Sequence, residues 1–277
     1  MDEATLVQSL SNVTPAWRPA DGSTALGGAV HTRAERPLAF SIRLVDTDEA
    51  RGTAQHLIDR MYATRGYRAA PSTKAAVQPR PSHERRAFMA VEAGVAVGTI
   101  SVVDDSDAGL AADELFADEV ARMRATGLGV CEFGKLAMDR RARSPKLLAS
   151  LFHVAYLEAY RVNRRRYVLI EVNPRHVRYY QAMLGFDVVG PTRLNLRVNA
   201  PAVLMCLDLA EAERQIALQA GRVRDDQIGR SAYPYFFDAQ TEAGVLGKLW
   251  SQGRDLVTVD ELNDDTHRLL GATAVCH

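Results

Sequence analysis

The sequence of 277 residues is poor in the features that mark secreted, membrane and metal-binding proteins. Its three cysteines, Cys131, Cys206 and Cys276, lie far apart and form no C-x-x-C pair, which argues against a disulfide scaffold and a zinc finger. It contains no run of about 18 apolar residues, so we expect no transmembrane helix. The N-terminal stretch MDEATLVQSL has two acids and no early base, which argues against a secretory signal and predicts a cytoplasmic protein.

The sequence also lacks the short motifs of several enzyme and binding classes. It has no G-x-S-x-G, no H-E-x-x-H and no P-loop motif, and its glycine pair at 27–28 has neither a strand before it nor a helix after it. Its arginines are not interleaved with aromatic residues on a recognisable strand platform. We therefore predict no metal site, no nucleotide-binding loop and no nucleic-acid partner.

The net charge of zero hides an uneven distribution of charge along the chain. Between Lys135 and Arg197 there are 13 basic and 4 acidic residues, a surplus of +9, and the rest of the chain therefore carries −9. Residues Asp104 to Glu119 include seven acids and no base. A basic surface beside an acidic one suits an anionic partner such as a phosphate, a carboxylate or an acidic protein. The alternative is a solvated surface with arginines spread over its helices.

The pattern of apolar residues predicts one α+β domain between two peripheral segments. Residues 1–37 are rich in Ser, Thr, Ala, Gly and Pro without periodicity, which predicts a flexible arm. Residues 38–210 predict the order β α β β α β α β α β β, a mixed central sheet with helices on both faces. Residues 211–277 predict a C-terminal helical extension, with helices near 243–250 and 259–270.

Individual residues predict where several helices start and end. Ser144-Pro145 predicts a helix start, with Ser as the N-cap and Pro at the first helical position. Asn173-Pro174 predicts a second start, and Gly185 predicts the end of that helix. Gly94, between two predicted strands, indicates an antiparallel hairpin.

Residues 40–210 resemble the GNAT acyltransferase fold. The strand Val130–Met138 (VCEFGKLAM) and the helix from Ser144 look like its acyl-donor segment, and Asn173–Phe186 looks like its last strand-helix-strand segment. Within that superfamily the chain is similar to the long-chain N-acyl amino acid synthases, which are relatives of the acyl-homoserine-lactone synthases. The runs that carry this likeness are Asn173–Phe186, Gly190-Pro191, Arg197–Leu204, Leu207–Leu209 and Arg65-Gly66-Tyr67.

The resemblance implies an N-acyltransferase that moves a long-chain acyl group from acyl carrier protein to the α-amine of an amino acid. The donor would be acyl-phosphopantetheine on the carrier, and no bound cofactor is expected. One alternative is an acyl-coenzyme-A-dependent N-acyltransferase that acts on a small amine. The other is a non-catalytic module that binds acyl carrier protein.

The turn after the strand Val130–Met138 departs from ordinary GNAT enzymes, whose glycine-rich loop cradles the coenzyme A pyrophosphate at a helix N-terminus. The turn Arg140–Pro145 has no glycine, and Pro145 removes one backbone donor. A helix N-terminus with basic neighbours still suits one phosphate monoester and an acidic protein. The predicted donor- and carrier-binding residues are Arg140, Arg141, Arg143, Ser144 and Lys146; in the alternative interpretation the arginines only solubilise a turn.

Glu132 is the predicted proton acceptor. A Glu inside an otherwise apolar strand is costly unless it is paired or used, and the amino-acid ammonium must lose a proton before it attacks a thioester. The alternative is that Glu132 is paired with Arg165, Arg166 or another neighbour. The resemblance also implies that backbone N–H groups near Leu136 and Ala137 stabilise the oxyanion.

Other candidates concern the two substrates. A carboxylate needs a bidentate cation, and Arg65, Arg193 and Arg197 are the candidates. Gln181 stands where many GNAT enzymes have a Tyr that protonates the leaving thiolate. Tyr180 is the neighbouring candidate for that role, but it is displaced by about 100° around the helix. Its alternative role is packing in the core. His176 is predicted to be a capping or surface residue. Phe133 and its apolar neighbours are candidates for an acyl slot, and the aromatic segment 233–237 either covers that slot or packs on the sheet.

Overall fold

The computed structural model describes residues 39–63, 85–139, 144–196, 199–223 and 231–259. The described strands form a twisted mixed sheet in the order β6-β8-β5-β4-β3-β2-β1-β9, and β7 pairs with β8 beyond this path. Strands β4 and β5 are parallel, and the other recorded pairs are antiparallel. The strands are β1 (Phe40–Leu44), β2 (Arg85–Glu92), β3 (Val95–Asp104), β4 (Val130–Met138), β5 (Tyr167–Val172), β6 (Asp187–Val188), β7 (Arg193–Asn195), β8 (Ala200–Asp208) and β9 (Asp255–Val259).

Helices cover both faces of this sheet, as the sequence predicts. One face carries α1 and α2, and the other carries α3, α4, α5 and α6. The turns that follow α3, Leu157–Val162, are π-helical. The helices are α1 (Asp48–Ala63), α2 (Asp113–Ala125), α3 (Pro145–Tyr156), α4 (Val177–Leu184), α5 (Leu209–Gln219) and α6 (Ala239–Trp250).

The predicted caps are confirmed. Ser144 Oγ accepts a hydrogen bond from the backbone N–H of Leu147 at 3.0 Å, and Pro145 opens α3. Gly185 ends α4 with φ of +79°, a conformation that favours glycine because it has no Cβ. Gly94 (φ +80°) lies in the turn between β2 and β3. Helix α3 thus begins where a side chain accepts a backbone N–H, and α4 ends where glycine allows a left-handed backbone.

The extension is not helical throughout, so that part of the sequence prediction is wrong. Helix α6 is present, but residues Asp255–Val259 form β9, which pairs with the edge strand β1. Leu256 and Val259 of the segment DLVTV are buried, and the open edge of β1 supplies the backbone partners that a strand needs. Residues 260–270 of the second predicted helix lie outside the described residues, as does the predicted arm at 1–37.

His153 on α3 joins the extension to the domain. The backbone N–H of Phe237 donates to Nδ1 of the fully buried imidazole at 2.9 Å. The rings of Phe236 and Phe237 stack on it with centroids 4.7 and 4.8 Å away. Burial lowers the pKa of His153, so at neutral pH the ring is uncharged and can accept this hydrogen bond. The aromatic segment 233–237 therefore packs against α3.

We expect β9 to contribute to stability although it lies outside residues 38–210, the domain that the sequence predicts. Leu256→Ala removes a side chain that is 1% exposed, and we expect it to lower the free energy of unfolding by about 2–4 kcal/mol through lost burial and the cavity left behind. Thr258→Ala, at an exposed position of the same strand, is the matched control, with an expected change within about 0.5 kcal/mol. Urea unfolding measures both; equal midpoints for the two variants would contradict the placement of β9.

Candidate active site

The parallel strands β4 and β5 separate part-way along their length. Their pairing runs from Val130–Tyr167 to Glu132–Leu169, although β4 continues to Met138 and β5 to Val172. We call the opening beyond Glu132 and Leu169 the split. Backbone groups on these two facing edges lack each other as partners, which makes the split a place where an extended ligand can bind.

A bulge bends β4 beside the split. The register with β3 jumps from Gly134–Ser101 to Ala137–Thr99, so Lys135 and Leu136 together oppose a single residue of β3. Lys135 has φ of +49°, and Thr99 Oγ1 donates to its carbonyl oxygen at 2.7 Å. Bulges of this kind redirect a strand's backbone and side chains. The residues predicted to supply oxyanion donors, Leu136 and Ala137, therefore lie where β4 is distorted next to the split.

Glu132 stands at the point where the split begins. Its side chain is 8% exposed and lies on the α2 face of the sheet, with its register partner Leu169 in the cluster under α2. Its Oε2 accepts from the backbone N–H of Ala112, just before α2, at 3.2 Å. A helix N-terminus favours negative charge, so this contact supports the carboxylate form, which is the form that accepts a proton.

The specific pairings that the sequence offered for Glu132 are occupied by other acids. Arg165 Nε lies 3.0 Å from Asp104, and a guanidinium nitrogen of Arg166 lies 2.7 Å from Asp208. Arg165 thus joins the loop before β5 to the end of β3, and Arg166 joins the same loop to the end of β8, just before α5.

The N-terminus of α3 follows β4 and lies at the open end of the sheet. Gly98, at the start of β3, lets α3 approach closely, because a Cβ there would lie 2.9 Å from Leu151. In the first turn, the Leu147 N–H is taken by Ser144 and Pro145 has none. The predicted donor residues Ser144 and Lys146 lie at the start of α3, which follows β4 in the chain, and this turn offers fewer backbone donors than a glycine-rich phosphate loop.

An aromatic row lines the other face of the sheet at the split. The ring centroids of Phe133 and Phe152 are 6.4 Å apart, those of Phe152 and Tyr180 are 6.3 Å apart, and those of Tyr180 and Phe186 are 5.9 Å apart. Tyr180 is 7% exposed, and burial raises the pKa of its hydroxyl. This packing agrees with a core role for Tyr180, the alternative that the sequence left open. His176 is 3% exposed, so its predicted surface position is wrong.

Arg193 does not stand free for a substrate carboxylate. Its guanidinium donates to Glu119 of α2 at 2.7 and 3.0 Å and to the carbonyl of Leu115 at 3.0 Å. It also lies 5.0 Å from the centroid of the Phe116 ring. The sequence prediction is corrected here: Arg193 fixes β7 to α2, and an incoming carboxylate would have to displace the Glu119 carboxylate. Sequence reasoning had no means of pairing residues 74 positions apart.

The remaining predicted cations, Arg65, Arg140, Arg141, Arg143 and Arg197, lie outside the described residues. Both described cysteines are buried, and burial raises the pKa of Cys206 to about 12. A thiol that stays protonated at neutral pH is a poor nucleophile. Neither described cysteine is therefore a candidate nucleophile.

Sequence reasoning missed Glu171 and Asn195. Glu171 is half-buried on β5, and the Nδ2 of Asn195, on β7, donates a hydrogen bond to its Oε1. Asn195 is 5% exposed. The signal that could have identified Glu171 is its position in the apolar run YVLIEV. As for Glu132, a Glu inside an apolar strand is costly unless it is paired or used.

Comparison with known families identifies the family of this chain. The family model described as N-acyl amino acid synthase FeeM matches residues 53–208, from within α1 to the end of β8. The chain belongs to the FeeM N-acyl amino acid synthase family. It has the GNAT fold and is an acyltransferase. Helices α5 and α6 and strand β9 lie outside the family match.

The chain is also similar to several solved structures. The structure of FeeM, an N-acyl amino acid synthase from uncultured soil microbes, has a TM-score of 0.57 and 28% identity and covers 64% of this chain and 94% of FeeM. Escherichia coli ElaA has a TM-score of 0.45 and 10% identity over 62% of this chain and 99% of its own. An acyl-CoA N-acyltransferase from Pseudomonas aeruginosa has a TM-score of 0.44 and 16% identity over 61% and 98%. No curated protein matches the chain.

The part of this family member that the structure describes has no helix with the length and apolar character needed to cross a membrane.

The ion pair of Arg193 predicts a pH-dependent contribution to stability. Hydrogen bonding from Arg193 holds the pKa of Glu119 below its ordinary value of 4.5. The pair therefore stabilises the fold above about pH 4.5, and this stabilisation is lost as the pH falls through the lowered pKa. We expect Arg193→Met to melt below wild type at pH 7, with a difference that shrinks on acidification to pH ~3. Thermal unfolding across this range measures it.

Arg122→Met is the matched control, because Arg122 is exposed and lies 3.7 Å from the same Glu119 carboxylate. It should lower the melting temperature less than Arg193→Met. An unchanged melting temperature for Arg193→Met, together with a raised KM for an amino-acid substrate, would instead return Arg193 to a carboxylate-binding role.

Proposed function

We propose that this chain transfers an acyl group from the phosphopantetheine arm of acyl carrier protein to the α-amine of an amino acid, giving an N-acyl amino acid. Membership of the FeeM family supports this proposal. The observation that carries it is the split between β4 and β5, with Glu132 where it begins and the N-terminus of α3 at its open end. A thioester on an extended arm and an amine can meet in such an opening.

The first turn of α3 favours a donor with one phosphate. Pro145 lacks an N–H and the Leu147 N–H is bound by Ser144, so few backbone donors remain for a pyrophosphate. Phosphopantetheine carries a single phosphodiester where it joins a carrier protein. Arg140, Arg141, Arg143 and Lys146 add positive charge around this turn, which suits both that phosphate and an acidic protein surface.

The proposed reaction begins with the transfer of a proton from the amino-acid ammonium to Glu132. The amine nitrogen then attacks the thioester carbonyl, and the resulting oxyanion is bound by backbone N–H groups of β4 near Leu136 and Ala137. The C–S bond breaks as the amide forms, and the second proton of the attacking nitrogen passes to the leaving thiolate. The acyl chain would lie against the aromatic row that begins at Phe133.

A comparison of three donors tests the proposed source of the acyl group. Purified protein is incubated with mixed amino acids and the same long acyl chain carried by acyl carrier protein, by coenzyme A or by free phosphopantetheine. Mass spectrometry of the products should show N-acyl amino acids, with kcat/KM highest for the carrier and coenzyme A no better than free phosphopantetheine. Product from the coenzyme A thioester alone would instead establish the acyl-coenzyme-A alternative. Binding of the carrier without product from any donor would contradict the proposal.

Glu132→Gln tests the proposed proton acceptor. The amide keeps the size and shape of the side chain but cannot take the proton, so we expect kcat to fall by about 10² or more. Glu114→Gln, an exposed change in the first turn of α2, is the control and should leave kcat unchanged. Full activity of Glu132→Gln at neutral pH would remove this residue from the mechanism.

A further inference from the structure

Arg124, in the last turn of α2, joins two acids at the two ends of the loop that precedes this helix. We call this loop, residues 105–112, the β3–α2 loop. The guanidinium of Arg124 donates to both carboxylate oxygens of Asp105 at 2.6 and 2.7 Å and to both oxygens of Asp113 at 2.6 and 2.7 Å. Asp105 directly follows β3, and Asp113 opens α2. Paired, charge-assisted hydrogen bonds fix orientation as well as distance, so one side chain holds both ends of the loop.

A kink in α2 makes this arrangement possible. Residues 113 and 124 would lie about 16 Å apart along a straight helix, beyond the reach of their side chains. Phe116 leaves the helical conformation, with φ of −129° and ψ of 39°, and its ring is fully buried. The break at Phe116 changes the direction of the chain, which brings Asp113 within reach of Arg124.

The two acids also anchor the backbone of the β3–α2 loop. The N–H of Leu110 donates to Oδ2 of Asp113 at 2.6 Å, and the N–H of Asp105 donates to the carbonyl oxygen of Val130, at the start of β4, at 3.2 Å. Because Nη2 of Arg124 bonds both carboxylates, they lie close together, and without the guanidinium their like charges would repel. The position of the loop against β4 therefore depends on Arg124.

The β3–α2 loop ends at the residue that contacts Glu132. Ala112 directly precedes Asp113 and is fully buried, and its backbone N–H donates to Oε2 of Glu132 at 3.2 Å. Hydrogen bonding to the ionised form of a carboxyl group stabilises that form, and the ionised form is the one that accepts a proton. Any displacement of the loop end changes this contact.

We infer that Arg124 is a positioning residue for Glu132: it holds the β3–α2 loop, through Asp105 and Asp113, so that the N–H of Ala112 meets the Glu132 carboxylate. This inference rests on the proposed function, in which Glu132 accepts a proton from the amino-acid ammonium. Arg124 acts through the loop and not on the substrate.

A purely electrostatic effect is the competing explanation, and two variants separate it from positioning. Arg124→Met removes a positive charge and Asp105→Ala removes a negative one, so charge alone would shift the pKa of Glu132 in opposite directions. Loss of the loop position weakens the Ala112 contact in both variants and shifts this pKa in the same direction. The other charged residues on the elements around Glu132 are unchanged in both: Asp104, Glu119, Lys135, Arg165, Glu171 and Arg193.

A titration of the Glu132 carboxyl group in the whole chain tests the inference. With glutamate labelled with carbon-13 at the carboxyl carbon, NMR follows the signal that disappears in Glu132→Gln. Both Arg124→Met and Asp105→Ala should raise the pKa of Glu132 by about 0.5 to 1 unit, because each weakens the hydrogen bond from Ala112. Arg122→Met removes the same charge from an exposed position of α2 and is the matched control, with an expected shift below about 0.2 unit.

The pH profile of product formation extends this readout to the reaction. The acidic limb of kcat should move to higher pH by the same amount in Arg124→Met and Asp105→Ala, and kcat should recover towards wild type at about pH 8, where Glu132 is again ionised. A residue that only stabilises the fold would lower the amount of active enzyme without moving this limb. Arg124→Lys keeps the charge but not the planar guanidinium; it should give a smaller shift in the same direction and replaces Arg124→Met if that variant does not fold.

The outcomes distinguish this inference from the proposed function. If wild type makes no N-acyl amino acid, the proposed function fails, whatever the titration shows. If wild type makes product, and folded Arg124→Met and Asp105→Ala leave the pKa of Glu132 unchanged or shift it in opposite directions, the inference is overturned.

Discussion

Two consecutive strands that pair in parallel must be joined by a crossover, because a tight turn reverses the chain and makes the next strand antiparallel. Here β4 is joined to β5 through α3, so the N-terminus of α3 follows the carboxyl end of β4 at one edge of the sheet. The ladder between β4 and β5 then stops at Glu132 and Leu169 while both strands continue. The opening, a helix N-terminus and a buried carboxylate are brought together by this one constraint.

Packing on both faces keeps the split open. Helix α3 presses against β3 at Gly98 on one face, and α1 covers Ala137 on the other. The bulge at Lys135 and Leu136, held by Thr99, bends β4 where its pairing with β5 has already ended. Beyond Glu132 and Leu169 the backbone groups of β4 and β5 no longer pair with each other, so the geometry that interrupts the sheet also forms the opening proposed as the reaction site.

Counting charges along the sequence overstates the number of cations available to a partner. Of the basic residues between 135 and 197, Arg161, Arg165, Arg166 and Arg193 are engaged with acids of the same chain. These pairs hold α5, the closed end of the sheet and β7 in place. The sequence also has Arg140, Arg141, Arg143 and Lys146 around the turn before α3.

The sequence by itself determined the order of most elements, the start of α3 at Ser144 and the end of α4 at Gly185, because caps and periodicity act over a few residues. It also placed Glu132 within an apolar strand. Only the tertiary structure decided that β9 joins β1, that Arg193 pairs with Glu119, and that Asn195 donates a hydrogen bond to Glu171. Those contacts depend on strand order and register between segments far apart in the chain, and no local pattern of residues encodes them.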